Sequence, residues 1–259
     1  MRLAEHGAVP AVSRAIAVLE AIAASDDSPS LAELTAKLGF PKSSLLGICN
    51  TLVMGGLLQR SDRGQFRLGA RIVGLAHAYL SDSNTTEHFF ETWDALGELR
   101  AETVVLSALD GTEVVYLACR NGSQGLTLNY RIGMRLPASC SASGKAILST
   151  LPPPAVKKLF AGATLPRLTP NSLRTLPALT RELERVRKRG YAIDDQEVRE
   201  GMCCLAAPIF DASNTTASGA VAVSLLSSEF ASKTKYAAAV ATLTRFASDL
   251  TRRLGGRPG

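Results

Sequence analysis

Between Ser30 and Met54 the chain carries a run of helix starts and stops that leaves few ways to fold. Ser30-Leu31-Ala32-Glu33 is a capping box, in which the Ser30 hydroxyl and the Glu33 carboxylate each satisfy a backbone amide of the other's turn. The helix it opens runs through Leu38 and stops at Gly39, the residue most at ease in a left-handed backbone. Pro41 suits the first turn of a further helix, where its missing N–H is not needed. Upstream, Val12, Ala15, Ile16, Leu19 and Ile22 recur at helical spacing and predict a first helix burying that stripe, which fades at Ser25-Asp26-Asp27-Ser28-Pro29. Two short helices around a glycine turn, with a third before them, make a helix-turn-helix arrangement.

The last of these helices has two unlike faces. Leu45, Ile48, Cys49 and Leu52 fall on one side at 3.6-residue spacing. Ser43, Gly47, Asn50 and Met54, flanked by Ser44 and Thr51, occupy the other, a small polar surface able to approach a DNA groove. Hydroxyls reach phosphates or base edges, Asn50 has the geometry to bridge adenine N6 and N7, and Lys42 sits on the first turn, where phosphate is already favoured. Leu57–Arg60 and Gln65–Leu68 then flank the polar turn Ser61-Asp62-Arg63-Gly64, predicting a hairpin whose Arg60, Arg63 and Arg67 are placed for phosphate contact. From Lys37 to Arg71 there are six basic residues against one acidic. A solvated charged face with no partner explains the same residues, because the first 83 residues as a whole are close to neutral.

Ala70 to about Leu80, with Ile72, Val73, Leu75, Ala76 and Tyr79, predicts a linker helix with a broad apolar face. Another helical segment holds Phe89, Phe90, Trp93, Leu96 and Leu99, aromatics that read first as plain core. Such helices are also well placed to meet a second subunit. Beyond Glu102 strands appear, at Thr103–Leu109, Glu113–Cys119 after the Asp110-Gly111 turn, Leu126–Tyr130, Cys204–Phe210 and Gly219–Leu225. Helices are predicted at Ser143–Thr150, Pro153–Phe160, Leu176–Arg189 and Lys233–Leu254. This mixture defines an α+β fold with an antiparallel sheet behind the helical unit. Ser139–Lys145 opens a helix with small residues, leaving amides free to hold an anion such as a carboxylate; an ordinary capped helix is the plain alternative. It is not a phosphate-binding loop, and Ala142 stands where a serine nucleophile of the S-x-x-K type would be.

Cysteines 49, 119, 140, 203 and 204 are an odd set without CxxC spacing, pointing to free thiols in a reducing compartment and away from zinc. The adjacent pair Cys203-Cys204 reads first as packing, then as a ligand contact through Cys204, then as a redox sensor. A thiol hydrolase built on Cys140 or Cys204 lacks a base, since all three histidines precede residue 90. No apolar run reaches the 18 to 20 residues a membrane span needs, and the N-terminus has no secretion signal, so a cytoplasmic protein is expected.

Six stretches in order resemble the IclR family of bacterial regulators: Ala11–Ala15, Gly39–Ser44, Phe66–Gly69, Ala142–Ala146, Arg189–Asp195 and Gly201–Asp211. The resemblance implies a winged helix-turn-helix domain over residues 1–69, a linker helix over 70–83 and a GAF-like effector domain over 84–259, assembled as a homodimer or dimer of dimers. It adds Arg14 as a backbone contact to DNA. It gives Ala142 and Ser143 as amide donors to the effector, Asp194, Cys204 and Ser224 as side-chain partners, and Leu128, Leu136 and Met202 as an apolar wall. Two positions depart from the family's pattern: Gly47 replaces an arginine in the recognition helix, and Ala222 replaces a pocket serine. The chain is thus expected to be a regulator that binds a double-stranded operator and a small organic or aromatic acid, with no cofactor and no catalytic role. An architectural DNA-binding protein that senses nothing is the alternative, and a neutral polar effector is kept open because Asp194 repels a carboxylate unless protonated.

Overall fold

The computed structural model describes residues 9–81, 84–97, 101–122 and 130–258, and the chain divides into two compact units, Met1–Asp82 and Ser83–Gly259. The first is built from α1 (Pro10–Ala23), α2 (Leu31–Leu38), α3 (Lys42–Met54), β1 (Leu58–Arg60), β2 (Phe66–Leu68) and α4 (Arg71–Ser81). The capping box at Ser30 and Glu33 is fully formed, and Gly39 ends α2 at φ 68°, in the left-handed region. Pro41 is the N-cap of α3 and lies one residue before the helix instead of within its first turn.

Val18, Ala21, Ile22, Leu34, Leu45, Cys49, Leu52, Leu58 and Phe66 form the core of this unit. The stripe of α1 therefore sits further round and further along than expected. Val12 and Ile16 are exposed, because α2, α3 and the hairpin cover only the second half of α1. β1 and β2 pair antiparallel from Leu58↔Leu68 to Arg60↔Phe66, burying one residue each and turning the rest outward. A Ser30↔Gln65 bridge and a bond from Phe66 N to Pro29 O (2.8 Å) fasten the hairpin to the start of α2. Along α4, Val73, Leu75 and Tyr79 are exposed.

The second unit runs α5 (Thr85–Leu96), β3 (Thr103–Asp110), β4 (Glu113–Arg120), β5 (Arg135–Pro137), α6 (Ala142–Thr150), α7 (Pro153–Leu159), α8 (Leu176–Arg189), β6 (Ala192–Asp195), β7 (Met202–Ile209), β8 (Gly219–Leu226), α9 (Ser227–Phe230) and α10 (Lys233–Arg253). Its strands form one antiparallel sheet in the order β5-β4-β3-β8-β7-β6. The short strands β5 and β6 are additions to the sequence expectation. At three and four residues they are too brief to show an alternating pattern. Leu126–Asn129, most of a strand expected from sequence, lies outside the described residues.

The sheet is covered on both faces, and alternation divides its side chains between two packed layers. On β8, Val221, Val223 and Leu225 join Val104, Leu106, Leu205, Ile209 and the α10 residues Leu243, Phe246 and Leu250 in one layer, with Phe89 of α5. The other face presents Ala206, Ala220 and Ala222 toward α6 and α8. Small residues on that face let α6 come close, so all of Ala142–Ser149 is buried. Gly144 is the tightest point: a Cβ there would lie 2.3 Å from the Cα and O of Ala138.

Replacing Gly144 by alanine sets one methyl against main-chain atoms that no rotamer change can move. Gly144→Ala is expected to destabilise the second unit by about 2–3 kcal/mol or more, in line with strong overpacking. Urea denaturation followed by circular dichroism measures it, and a change under 0.5 kcal/mol would show that this approach is not fixed.

Candidate functional site

α3 displays the two faces its sequence implies. Leu45, Cys49 and Leu52 are buried, while Lys42, Ser43, Gly47, Asn50, Thr51 and Met54 are exposed. A Cβ at Gly47 would meet nothing within 4 Å, so packing does not require glycine there. The missing side chain instead leaves a flat place on the exposed face. The Thr51 hydroxyl donates to the Gly47 carbonyl (2.9 Å) and is spent on its own helix. Ser44 is half-buried and accepts from Arg14 Nη1 (3.2 Å), whose guanidinium also lies over the Phe40 ring (5.5 Å). Arg14 therefore ties α1 to the start of α3.

The six basic residues counted from sequence separate into two groups. Lys37 Nζ donates to the Ala21 carbonyl (3.3 Å) and Arg71 Nη1 to the Gly55 carbonyl (3.0 Å), each completing the C-terminal end of a helix. Lys42, Arg60, Arg63 and Arg67 keep exposed positions on α3 and the hairpin. Arg60 lies over Phe66 (5.6 Å) and Arg67 Nε donates to Gln59 Oε1 (3.0 Å), so both are held along the strands. A cleft of about 730 Å³ runs beside them, lined by Arg60, Arg67 and Arg71 with Gln59 and Gln65.

In the second unit one small cavity brings together Leu136, Ala142, Ser143, Asp194, Met202, Cys204, Ala222 and Ser224, while Leu128 lies outside the described residues. The cavity sits where α6 begins. Ser141 caps the helix by accepting from Gly144 N (3.1 Å), which leaves the first two amides, of Ala142 and Ser143, with no carbonyl inside the helix to bond. Cys204 and Ser224 face each other across the β7–β8 register, Sγ to Oγ 3.3 Å. Four lining residues were not singled out from sequence: Val105, Tyr116, Tyr130 and Val198. Tyr116 lies in a strand pattern that announces burial without purpose, and Tyr130 carries no motif.

Behind the cavity lies a buried acidic cluster around one lysine. Lys145 is wholly buried and pairs with Glu197. The Asp194 carboxylate accepts from the amides of Glu197 (2.7 Å) and Val198 (3.3 Å), which closes the turn after β6. Burial pushes Asp194 up to about 6 and Glu197 up to about 7, against the opposing pull of Lys145. Glu197 Oε2 has no hydrogen-bond partner among the described residues, while Oε1 accepts from Lys145. Burial likewise raises Cys140, and pushes Cys204 up to about 12, so neither is a thiolate near neutrality.

A three-helix core with a basic hairpin, followed by an antiparallel-sheet domain with a cavity at a helix start, defines a DNA-binding regulator with a sensing domain. The family model for the IclR helix-turn-helix domain matches residues 11–62, and that for the bacterial transcriptional regulator IclR C-terminal domain matches residues 77–252. The chain belongs to the IclR family. It is 31% identical over 208 residues to the transcriptional repressor IclR of Escherichia coli, covering 79% of this chain and 76% of that one. The crystal structure of the Agrobacterium tumefaciens repressor BlcR is 38% identical, covers 95% of this chain and 97% of its own, and superposes with a TM-score of 0.61. An IclR homologue from Microbacterium hydrocarbonoxydans, complexed with 4-hydroxybenzoate, shares the fold at 20% identity, with a TM-score of 0.77 over 93% of this chain and 99% of that one. The protein is accordingly a transcriptional regulator, as its curated relatives are. No helix among the described residues is long and apolar enough to cross a membrane.

The acidic cluster has a consequence for stability. Asp194 and Glu197 hold protons more tightly folded than unfolded, so their contribution is fully present below about pH 4 and is lost as pH rises through about 6 to 7. Glu197→Gln is expected to flatten that decline between pH 5 and 8. Denaturation midpoints across the range measure it, and an unchanged slope would assign the decline to other groups.

Proposed function

We propose that α3 enters the DNA major groove, with Ser43, Asn50 and the flat place at Gly47 against the bases and Lys42, Arg60, Arg63 and Arg67 on phosphates. Arg14 and Ser44 orient α3, Thr51 flanks its exposed face, and Arg14 also stands close enough to the helix start to touch the backbone. The observation that carries this reading is the exposed polar face of α3, whose reverse side is fully committed to the core. Residues 1–69 form the reader, 70–83 the linker and 84–259 the sensor. Val73, Leu75 and Tyr79, exposed on α4, suit burial against a second subunit, which gives a homodimer or a dimer of dimers reading paired half-sites. The regulator works in the cytoplasm, where its operator is.

The effector is a small organic or aromatic acid whose carboxylate meets the free amides of Ala142 and Ser143, favoured by the helix dipole. Ser224 and Cys204 supply polar contacts, Asp194 borders the site, and Leu136, Met202 and Ala222 furnish the apolar wall. Asp194 repels a carboxylate when ionised, so the bound state favours its protonated form. The effector changes DNA affinity by binding one arrangement of the assembly better than another.

Lys42→Ala and Arg67→Ala are each expected to weaken binding on every DNA sequence and to reduce the slope of log K against log salt by about 1. Fluorescence anisotropy at several salt concentrations measures this, and an unchanged slope removes the residue from the phosphate set. For the sensor, 4-hydroxybenzoate is the first probe. Its affinity is expected to rise as pH falls from 7.5 to 6, as Asp194 gains its proton, and to weaken about tenfold in Ser224→Ala while operator binding without ligand is kept. Calorimetric affinity independent of pH would favour a neutral effector over an acid.

A further inference from the structure

The free space in the sensing cavity is about 10 Å³, room for one water molecule. A benzene-sized guest needs on the order of 150 Å³. The walls are therefore polar enough to bind a ligand, but the volume is already taken. The occupant is Tyr130. It is 4% exposed, its hydroxyl is 2.8 Å from Ser224 Oγ and 3.7 Å from Cys204 Sγ, and its ring packs on Tyr116 with centroids 5.6 Å apart. The side chain thus uses the polar groups and the apolar room that a hydroxylated aromatic guest would use.

The lining differs in its freedom to yield. Val105, Tyr116, Met202, Cys204, Ala222 and Ser224 lie in strands β3, β4, β7 and β8, held by ladder bonds on both sides. α6 is held by the Ala138 main chain lying against Gly144 and by the pairing of Lys145 with Glu197. Tyr130 is the largest lining side chain that belongs to no helix or strand. Its hydroxyl is held by Ser224 Oγ and Cys204 Sγ and its ring by the core around Tyr116, contacts that a guest of the same shape and polarity can replace.

We infer that the Tyr130 phenol is a built-in occupant of the sensing cavity, that a small molecule binds there only by displacing it, and that Tyr130 therefore sets both the threshold for binding and the preference for a ring with a hydroxyl-like polar end at Ser224. This rests on the proposed sensing role of the cavity for its regulatory meaning, though not for the displacement itself. A guest that replaces the ring and restores the Ser224 bond recovers the contacts that Tyr130 gives up, whereas a guest lacking that polar atom leaves Ser224 unpaired.

Phenol, the part of tyrosine that Tyr130→Ala removes, is the direct probe. The full-length variant is expected to bind phenol at least tenfold more tightly than the unaltered protein by calorimetry, and to gain melting temperature with it while the unaltered protein does not. Adding Ser224→Ala to that variant should weaken phenol binding, since the bond to Oγ is lost. Should Tyr130→Ala not fold, Tyr130→Phe keeps the ring and drops only the competing hydroxyl. It is expected to bind phenol roughly twofold to tenfold more tightly than the unaltered protein, the equivalent of one neutral hydrogen bond. Equal phenol affinity in variant and unaltered protein, or no binding to a folded Tyr130→Ala, overturns the inference. Operator binding separates the two claims: phenol bound to Tyr130→Ala without any change in DNA affinity upholds displacement and counts against the sensing role.

Discussion

The second unit depends on how closely α6 can approach the sheet. That distance is set by absent side chains, Ala206, Ala220 and Ala222 opposite the helix, while Gly144 lets the Ala138 main chain just after β5 lie against the helix's first turn. A helix packed this tightly buries even its lysine, and a buried ammonium needs an anion, which Glu197 supplies from the turn after β6. Taking both charges out of water costs more than the pair returns unless the geometry is good. The pair is accordingly better understood as fixing where α6 and the β6–β7 turn meet than as a large source of stability.

From that placement the cavity follows. The same close approach that buries α6 brings its first residues, Ala142 and Ser143, to a shared cavity with Cys204 and Ser224, which stand opposite each other on β7 and β8. Asp194 closes the third side because its carboxylate is tied to the Glu197 and Val198 amides, within the turn that carries the partner of Lys145. Structural roles and the proposed sensing role thus share one cluster. An event in the cavity that alters the charge of Asp194 is felt at once by Lys145 and Glu197 behind it.

In the first unit the controlling constraint is simpler. α3 gives its apolar side wholly to a small core and has only its polar side left to present. Cations that sequence counting treats alike are divided by geometry: Lys37 and Arg71 finish helix ends, and Lys42, Arg60, Arg63 and Arg67 stay at the surface. A charge count is therefore an upper limit on the residues available to phosphate.

Much of this was legible in the sequence because it is written in local rules. The capping box at Ser30, the stop at Gly39, the two faces of α3, the hairpin, α8 and the longer strands follow from periodicity and backbone preference over a few residues. The family's motifs carried the cavity residues from Leu136 to Ser224 before any distance was known. Other features were decided only by tertiary structure. The shift of the buried stripe on α1, the short strands β5 and β6, the Lys145–Glu197 pair and the filling of the cavity by Tyr130 each join residues far apart in the chain. No local pattern marks such a residue, since its partner is chosen by where the sheet and helices bring the backbone, and that is settled by packing across the whole unit.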